Sequence, residues 1–166
     1  MILDDKLMKY VLFQKRTIQE VKNKCKLLGY TEEDIEEIIA YLIENGYLDD
    51  ELYVMKFILN TIKLKKRSSK EIKFDLLRRG INENIIDKYM NTSELNDFEL
   101  KCAISLAKKK YKECNDILKV KKYLLNKGYQ MYFVNKAIDS LKEISDNKDI
   151  ELNNNWGEML YGILFR

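Results

Sequence analysis

Apolar residues recur along most of this chain at the three-to-four-residue spacing of amphipathic helices. Leu3, Leu7, Tyr10 and Val11 predict a helix over 3–15. Ile18, Val21, Cys25 and Leu28 predict a second, opened by Thr17 and closed by Gly29. Glu20 stands three residues after Thr17, the reciprocal pairing of a capping box. Ile35, Ile38, Ile39, Leu42 and Ile43 mark a third helix. Thr31 caps it, and Glu32, Glu33 and Asp34 fill its first turn, where the helix dipole favours negative charge. Gly46 closes it by supplying a left-handed conformation. Helices over 51–64, 69–79 and 82–90 follow, then a polar joint at 91–96, then helices over 98–111, 115–127 and 132–144. Asp49 and Asp50 add negative charge at the start of the fourth helix, and Ser68 or Ser69 suits the cap of the fifth.

The middle helices of these triplets superpose when counted from their closing glycines. Gly29, Gly80 and Gly128 lie 51 and 48 residues apart. Eight residues before each stands Val21, Ile72 or Val120, and four before stands Cys25, Leu76 or Leu124. One after stands Tyr30, Ile81 or Tyr129, and six after stands Ile35, Ile86 or Val134. Every one of these positions is apolar, the mark of a degenerate internal repeat whose units bury their remaining apolar surface by stacking. The expected fold is all-α: three tandem three-helix repeats of about 50 residues, elongated, over 1–48, 49–93 and 94–145, with a tail at 146–166. The tail opens polar and ends apolar, from Trp156 to Phe165, and its two glycines weaken any helix there.

Composition supports helices and narrows the chemistry. Proline, which breaks helix interiors, is absent from the 166 residues. Histidine is absent too, which removes the commonest general base and metal ligand. Cys25, Cys102 and Cys114 have no CxxC spacing and suit reduced thiols in a cytoplasmic protein. No phosphate-binding glycine motif and no nucleophile beside a base occurs, so a non-enzymatic protein without cofactor or metal is expected. No signal peptide or membrane span is apparent.

Charge is divided unevenly. Residues 1–48 hold 7 basic and 9 acidic side chains, 49–93 hold 10 and 7, 94–145 hold 11 and 7, and 146–166 hold 2 and 4. One basic cluster, Lys63, Lys65, Lys66, Arg67, Lys70 and Lys73, surrounds the corner into the fifth helix, which Arg78 and Arg79 close. Another, Lys108, Lys109, Lys110 and Lys112, ends the seventh helix, with Lys119, Lys121 and Lys122 on the next. Either these are solvated faces with lysines near helix C-termini, or they form a surface for an anion, nucleic acid or acidic protein. A helix-turn-helix reader fits poorly, because its recognition helix would open on Thr31-Glu32-Glu33-Asp34 or Asn82-Glu83-Asn84, which phosphates repel.

The stretch Gly46-Tyr47-Leu48-Asp49-Asp50, with Tyr53 and Phe57, then Lys66, Ile72, Leu76 and Gly80-Ile81, resembles the RecX family. Tyr10, Leu12, Arg16-Thr17, Glu20-Val21, Gly29-Tyr30 and Ile35 extend the likeness backward. Ser68 stands where the family often has glycine, and Asp75 where glutamate is usual. The resemblance covers about residues 6–144 and leaves out the tail around Trp156. It implies a helical, three-repeat regulator lying in the groove of the RecA nucleoprotein filament, and a monomer is expected. Such a protein curbs RecA ATPase, strand-exchange and coprotease activities in recombination and repair, and meets single- or double-stranded DNA weakly or through the filament. A basic helical-repeat protein that binds DNA directly, without RecA, is the alternative.

Overall fold

The computed structural model describes residues 4–65, 67–90 and 92–146, with the side chains of 62–65, 94 and 143–146 left undescribed. The described residues form helices joined by turns, with no strand. In chain order these are α1 (Asp5–Phe13), α2 (Ile18–Leu28), α3 (Glu32–Glu44), α4 (Asp50–Lys65), α5 (Ser69–Arg78), α6 (Glu83–Met90), α7 (Ser93–Cys114), α8 (Ile117–Asn126) and α9 (Met131–Asp146). The tail from 147 onward, including Trp156, lies outside the described residues.

The expected caps form. Thr17 and Glu20 close a capping box on α2, and Thr31 and Asp34 close another on α3. Gly29, Gly80 and Gly128 all take the left-handed conformation, at φ 86°, 77° and 80°. The amide after each glycine reaches back to the same carbonyl of its helix: Tyr30 to Cys25, Ile81 to Leu76, and Tyr129 to Leu124, each at 3.2 Å. This is the six-to-one bond of a Schellman cap, and it uses up a carbonyl that the helix end would otherwise leave unpaired.

The largest departure from the sequence reading is α7. It starts at Ser93 because the Thr92 side chain accepts from the Leu95 amide, and it runs 22 residues to Cys114. The polar run expected as a joint is therefore mostly first turn. Asn115, at φ 46°, ends the helix in the left-handed region without a glycine, and Asp116 at once caps α8 through the Leu118 and Lys119 amides. Asn tolerates this conformation better than most side chains.

The described residues divide into two compact units: those up to Ile58 with Lys73–Tyr89, and Leu59–Ile72 with those from Met90 onward. In the first unit, Leu7, Val11, Val21, Cys25, Ile35, Ile38, Ile39, Leu42 and Leu48 form one core cluster. In the second, α7 packs on α8 and α9, and α8 on α9. Its buried residues include Ala103, Ala107, Val120, Leu124, Phe133, Val134, Ala137 and Leu141. All the repeat positions counted from the glycines are buried except Tyr30, which is half-buried and whose hydroxyl accepts the Asp4 amide at 3.2 Å.

Candidate partner-binding surface

Within the first unit, the start of α2 is tied to the end of α5. Thr17 Oγ1 accepts the Glu20 amide at 3.1 Å and donates to the Arg79 carbonyl at 2.8 Å. The Ile18 amide, one of the donors that a helix start leaves unpaired, gives its proton to Asp50 Oδ1 at 3.0 Å. Asp49 is the residue that caps α4, accepting the Leu52 amide at 2.8 Å, while Asp50 reaches across to α2. Burial pushes the Asp50 carboxyl above its usual range, and the Ile18 bond opposes that push. Arg79 completes the joint: its Nη1 meets Glu20 Oε1 at 2.6 Å, and its guanidinium lies 6.0 and 5.6 Å from the ring centroids of Tyr53 and Phe57. Only a glycine fits at 80, since φ is positive and a Cβ would overlap the Gln19 side chain.

The second unit repeats this construction between the start of α5 and the end of α8. Ser68 Oγ accepts the Glu71 amide at 3.3 Å and donates to the Lys127 carbonyl at 2.9 Å. The Ser69 amide donates to Glu99 Oε1 at 3.1 Å, and its hydroxyl donates to Glu99 Oε2. Burial pushes the Glu99 carboxyl up, against the two Ser69 bonds. A Cβ on Gly128 would come 2.8 Å from Ser68 Oγ. Thr17 and Ser68 each stand twelve residues before their glycine, and Arg79 and Lys127 each stand one before theirs. Asp50, Glu99 and the two hydroxyl-to-carbonyl bonds had no mark in the sequence beyond the residue types themselves, because their partners lie 30 to 62 residues away.

The cations named from the sequence have varied fates. Lys63 and Lys65 end α4, and Lys66 lies outside the described residues. Arg67 is half-buried before α5, where Lys70 and Arg78 are exposed. Lys73 holds Glu83 at 2.8 Å and Asp87 at 2.7 Å, and those bonds, Asp87's first, raise its affinity for the proton. Arg79 is committed to Glu20. On α7, Lys108 is half-buried, Lys109 and Lys112 are exposed, and Lys110 holds Glu113 at 3.1 Å. On α8, Lys119 lies 3.6 Å from Asp116, and Lys122 is exposed. A further cationic spot was not singled out from the sequence: Arg16 covers the Tyr10 ring at 3.9 Å, with Lys24 at 5.6 Å. No group of metal-ligating side chains occurs among the described residues.

No family model matches the chain. Regulatory protein RecX of Caldanaerobacter subterraneus subsp. tengcongensis is 30% identical over 123 residues, which is 74% of this chain and 62% of that protein. Regulatory protein RecX of Clostridium perfringens (strain 13 / Type A) is 31% identical over 147 residues, 82% of this chain and 65% of that protein. The crystal structure of RecX from Lactobacillus salivarius superposes with a TM-score of 0.76 at 27% identity, covering 84% of this chain and 94% of that one. The chain belongs to the RecX family. It spans 55% to 65% of the length of the curated RecX proteins it matches. No helix among the described residues is long and apolar enough to cross a membrane.

Proposed function

We propose that this chain is a non-enzymatic regulator that binds the RecA–DNA filament in the cytoplasm and curbs its ATPase, strand-exchange and coprotease activity. The observation that carries the reading is the match to proteins named regulatory protein RecX over most of the chain, together with a fold that superposes on a RecX crystal structure. The three repeats, 1–48, 49–93 and 94–145, act as a monomer. The exposed cations Lys70, Arg78, Lys109, Lys112 and Lys122 supply the attraction for phosphate or acidic protein surface. Lys73 and Arg79 contribute indirectly, because their charge is already shared with carboxylates.

The test is a titration of the full chain into RecA hydrolysing ATP on single-stranded DNA. Substoichiometric protein slows hydrolysis under this reading. An unchanged rate at several-fold excess over a cognate RecA, at low salt, rejects it. If the chain instead binds bare DNA as tightly as the filament, direct DNA binding replaces the RecA reading. Each phosphate contact adds about −0.7 to the logarithmic salt slope on single strands. Lys109→Glu with Lys112→Glu therefore weakens filament binding and flattens that slope, while Glu33→Lys with Glu37→Lys does neither.

A further inference from the structure

Four positions of each middle helix, ten, six, three and two residues before its glycine, are exposed in α2, α5 and α8 alike. An exposed helix face is ordinarily polar, and in α2 the four are Gln19, Asn23, Lys26 and a single leucine, Leu27, 82% exposed. In α8 the pattern changes to Leu118, Lys122, Leu125 and Asn126. Leu118 is 78% exposed and Leu125 39%. They stand seven residues apart, two turns along one face, with Lys122 between them and Lys119 beside them. On α5 the four positions are Lys70, Phe74, Leu77 and Arg78, with Phe74 64% exposed at the place of Lys122 and Leu77 42% exposed at the place of Leu125.

From this we infer that the exposed face of α8 is a protein-docking stripe, with Leu118 and Leu125 as its apolar contacts, Lys122 between them and Lys119 at its edge, and that it takes an apolar patch that carries carboxylates. The inference rests on the filament reading and assigns this face to the filament's protein rather than to its DNA. Aliphatic side chains have no π-face on which bases can stack, so two exposed leucines gain nothing from single strands. Protein interfaces, by contrast, combine an apolar centre with a polar rim, and exposed apolar patches on such surfaces mark partners. The lysines fix the sign of the partner's charge. They also disfavour a second copy of the same face, since two lysine-bearing stripes would repel.

The experiment measures binding of the labelled full chain to RecA filaments on single-stranded DNA and, separately, to the same DNA bare. It uses wild type, Leu118→Gln with Leu125→Gln, and Lys119→Gln with Lys122→Gln. The leucine variant is expected to lose about tenfold or more on filaments, with its salt slope and its binding to bare DNA unchanged. The lysine variant keeps most of its affinity and shows a flatter salt slope. Leu118→Gln alone, at the more exposed position, repeats the leucine result in smaller measure should the double variant unfold. Wild-type filament affinity in the leucine variants, or an equal loss on bare DNA, overturns the assignment while leaving the RecA reading in place. A wild type that fails to bind filaments overturns both. A self-association seen by light scattering in wild type and abolished in the leucine variant also overturns it, since the face would then join copies of this chain.

Discussion

The two joints are built to one plan and finished differently. In each, a capping hydroxyl donates to the carbonyl just before a left-handed glycine, and a carboxylate from a distant helix takes the first amide of the capped helix. The first joint adds an ion pair between Arg79 and Glu20 beside two aromatic rings. At the corresponding places the second has Lys127, drawn to the Tyr123 ring at 5.8 Å, and Glu71, whose buried Oε2 finds no partner among the described residues. The backbone-directed bonds are thus common to both joints, and the side-chain pair is the part that varies. That division follows from their energies. A buried amide or carbonyl left unpaired costs about 1–3 kcal/mol, whereas a partly exposed ion pair contributes about 0–1 kcal/mol and can be lost without unfolding.

The largest expected effect tests the shared part. Gly80→Ala and Gly128→Ala each combine a left-handed residue, costing about 1–2 kcal/mol, with an overlap costing about 1–3 kcal/mol. Gly29 has the same backbone but nothing within 4 Å of its Cβ position. Urea denaturation should therefore place Gly29→Ala clearly above the other two in stability. Equal midpoints for all three would mean that the close approaches at 80 and 128 are not constraints.

Next in size are the capping hydroxyls. Thr17→Ala and Ser68→Ala should each cost about 1–2 kcal/mol, and by similar amounts, because each removes one cap and one bond to a carbonyl. A cost at only one of them would show that the two joints are not equivalent.

The ion pair should separate the joints. Arg79→Ala should cost about 1 kcal/mol, at the upper end for a half-exposed pair, and Lys127→Ala should stay within about 0.5 kcal/mol. Lys127→Arg offers a guanidinium to Glu71 and should raise the denaturation midpoint slightly. Arg79→Ala and Lys127→Ala with the same cost would erase the distinction.

The smallest effect concerns pH. The folded state holds the Glu99 proton more tightly than the unfolded chain does, whose glutamates titrate near about 4.3. Stability at this site therefore falls as pH rises from that value through the raised one, and the cost is complete above it. Asp34 and Glu51 act in the opposite sense: hydrogen bonds from Thr31, and from Lys88 and then Tyr89, lower them, so they lose stability on acidification. Glu99→Gln should gain on wild type in melting temperature between pH 4 and pH 7, and Asp50→Asn should do so less, since Asp50 is only half-buried. A difference from wild type that is the same at both ends would remove the buried carboxylate as its cause.

Much of the fold is legible in the sequence. The helices, the caps at Thr17 and Thr31, and the left-handed glycines, Gly46 among them, follow from residues within four or five positions of one another, a range over which backbone hydrogen bonding sets the pattern. The long α7 departs from the sequence pattern at both ends, because its Thr92 cap stands inside a polar run and an asparagine takes the left-handed place of a glycine. The basic clusters were legible as residues but not as a surface. Whether a lysine faces solvent or a carboxylate depends on the neighbouring helix, as Lys73 and Lys70 show three residues apart.

What the sequence determined alone was therefore the local grammar: where helices start and stop, and which positions of the glycine-centred repeat are buried. Tertiary structure decided where side chains go once those helices meet. It sent Asp50 to the start of α2 and Glu99 to the start of α5, turned Arg79 onto Glu20, and left Leu118 and Leu125 facing outward. The reason is range. A cap or a Schellman turn is closed by residues a few steps away, so its free energy is written in adjacent letters. A carboxylate that serves an amide 30 or more residues away has a partner only after both helices have packed.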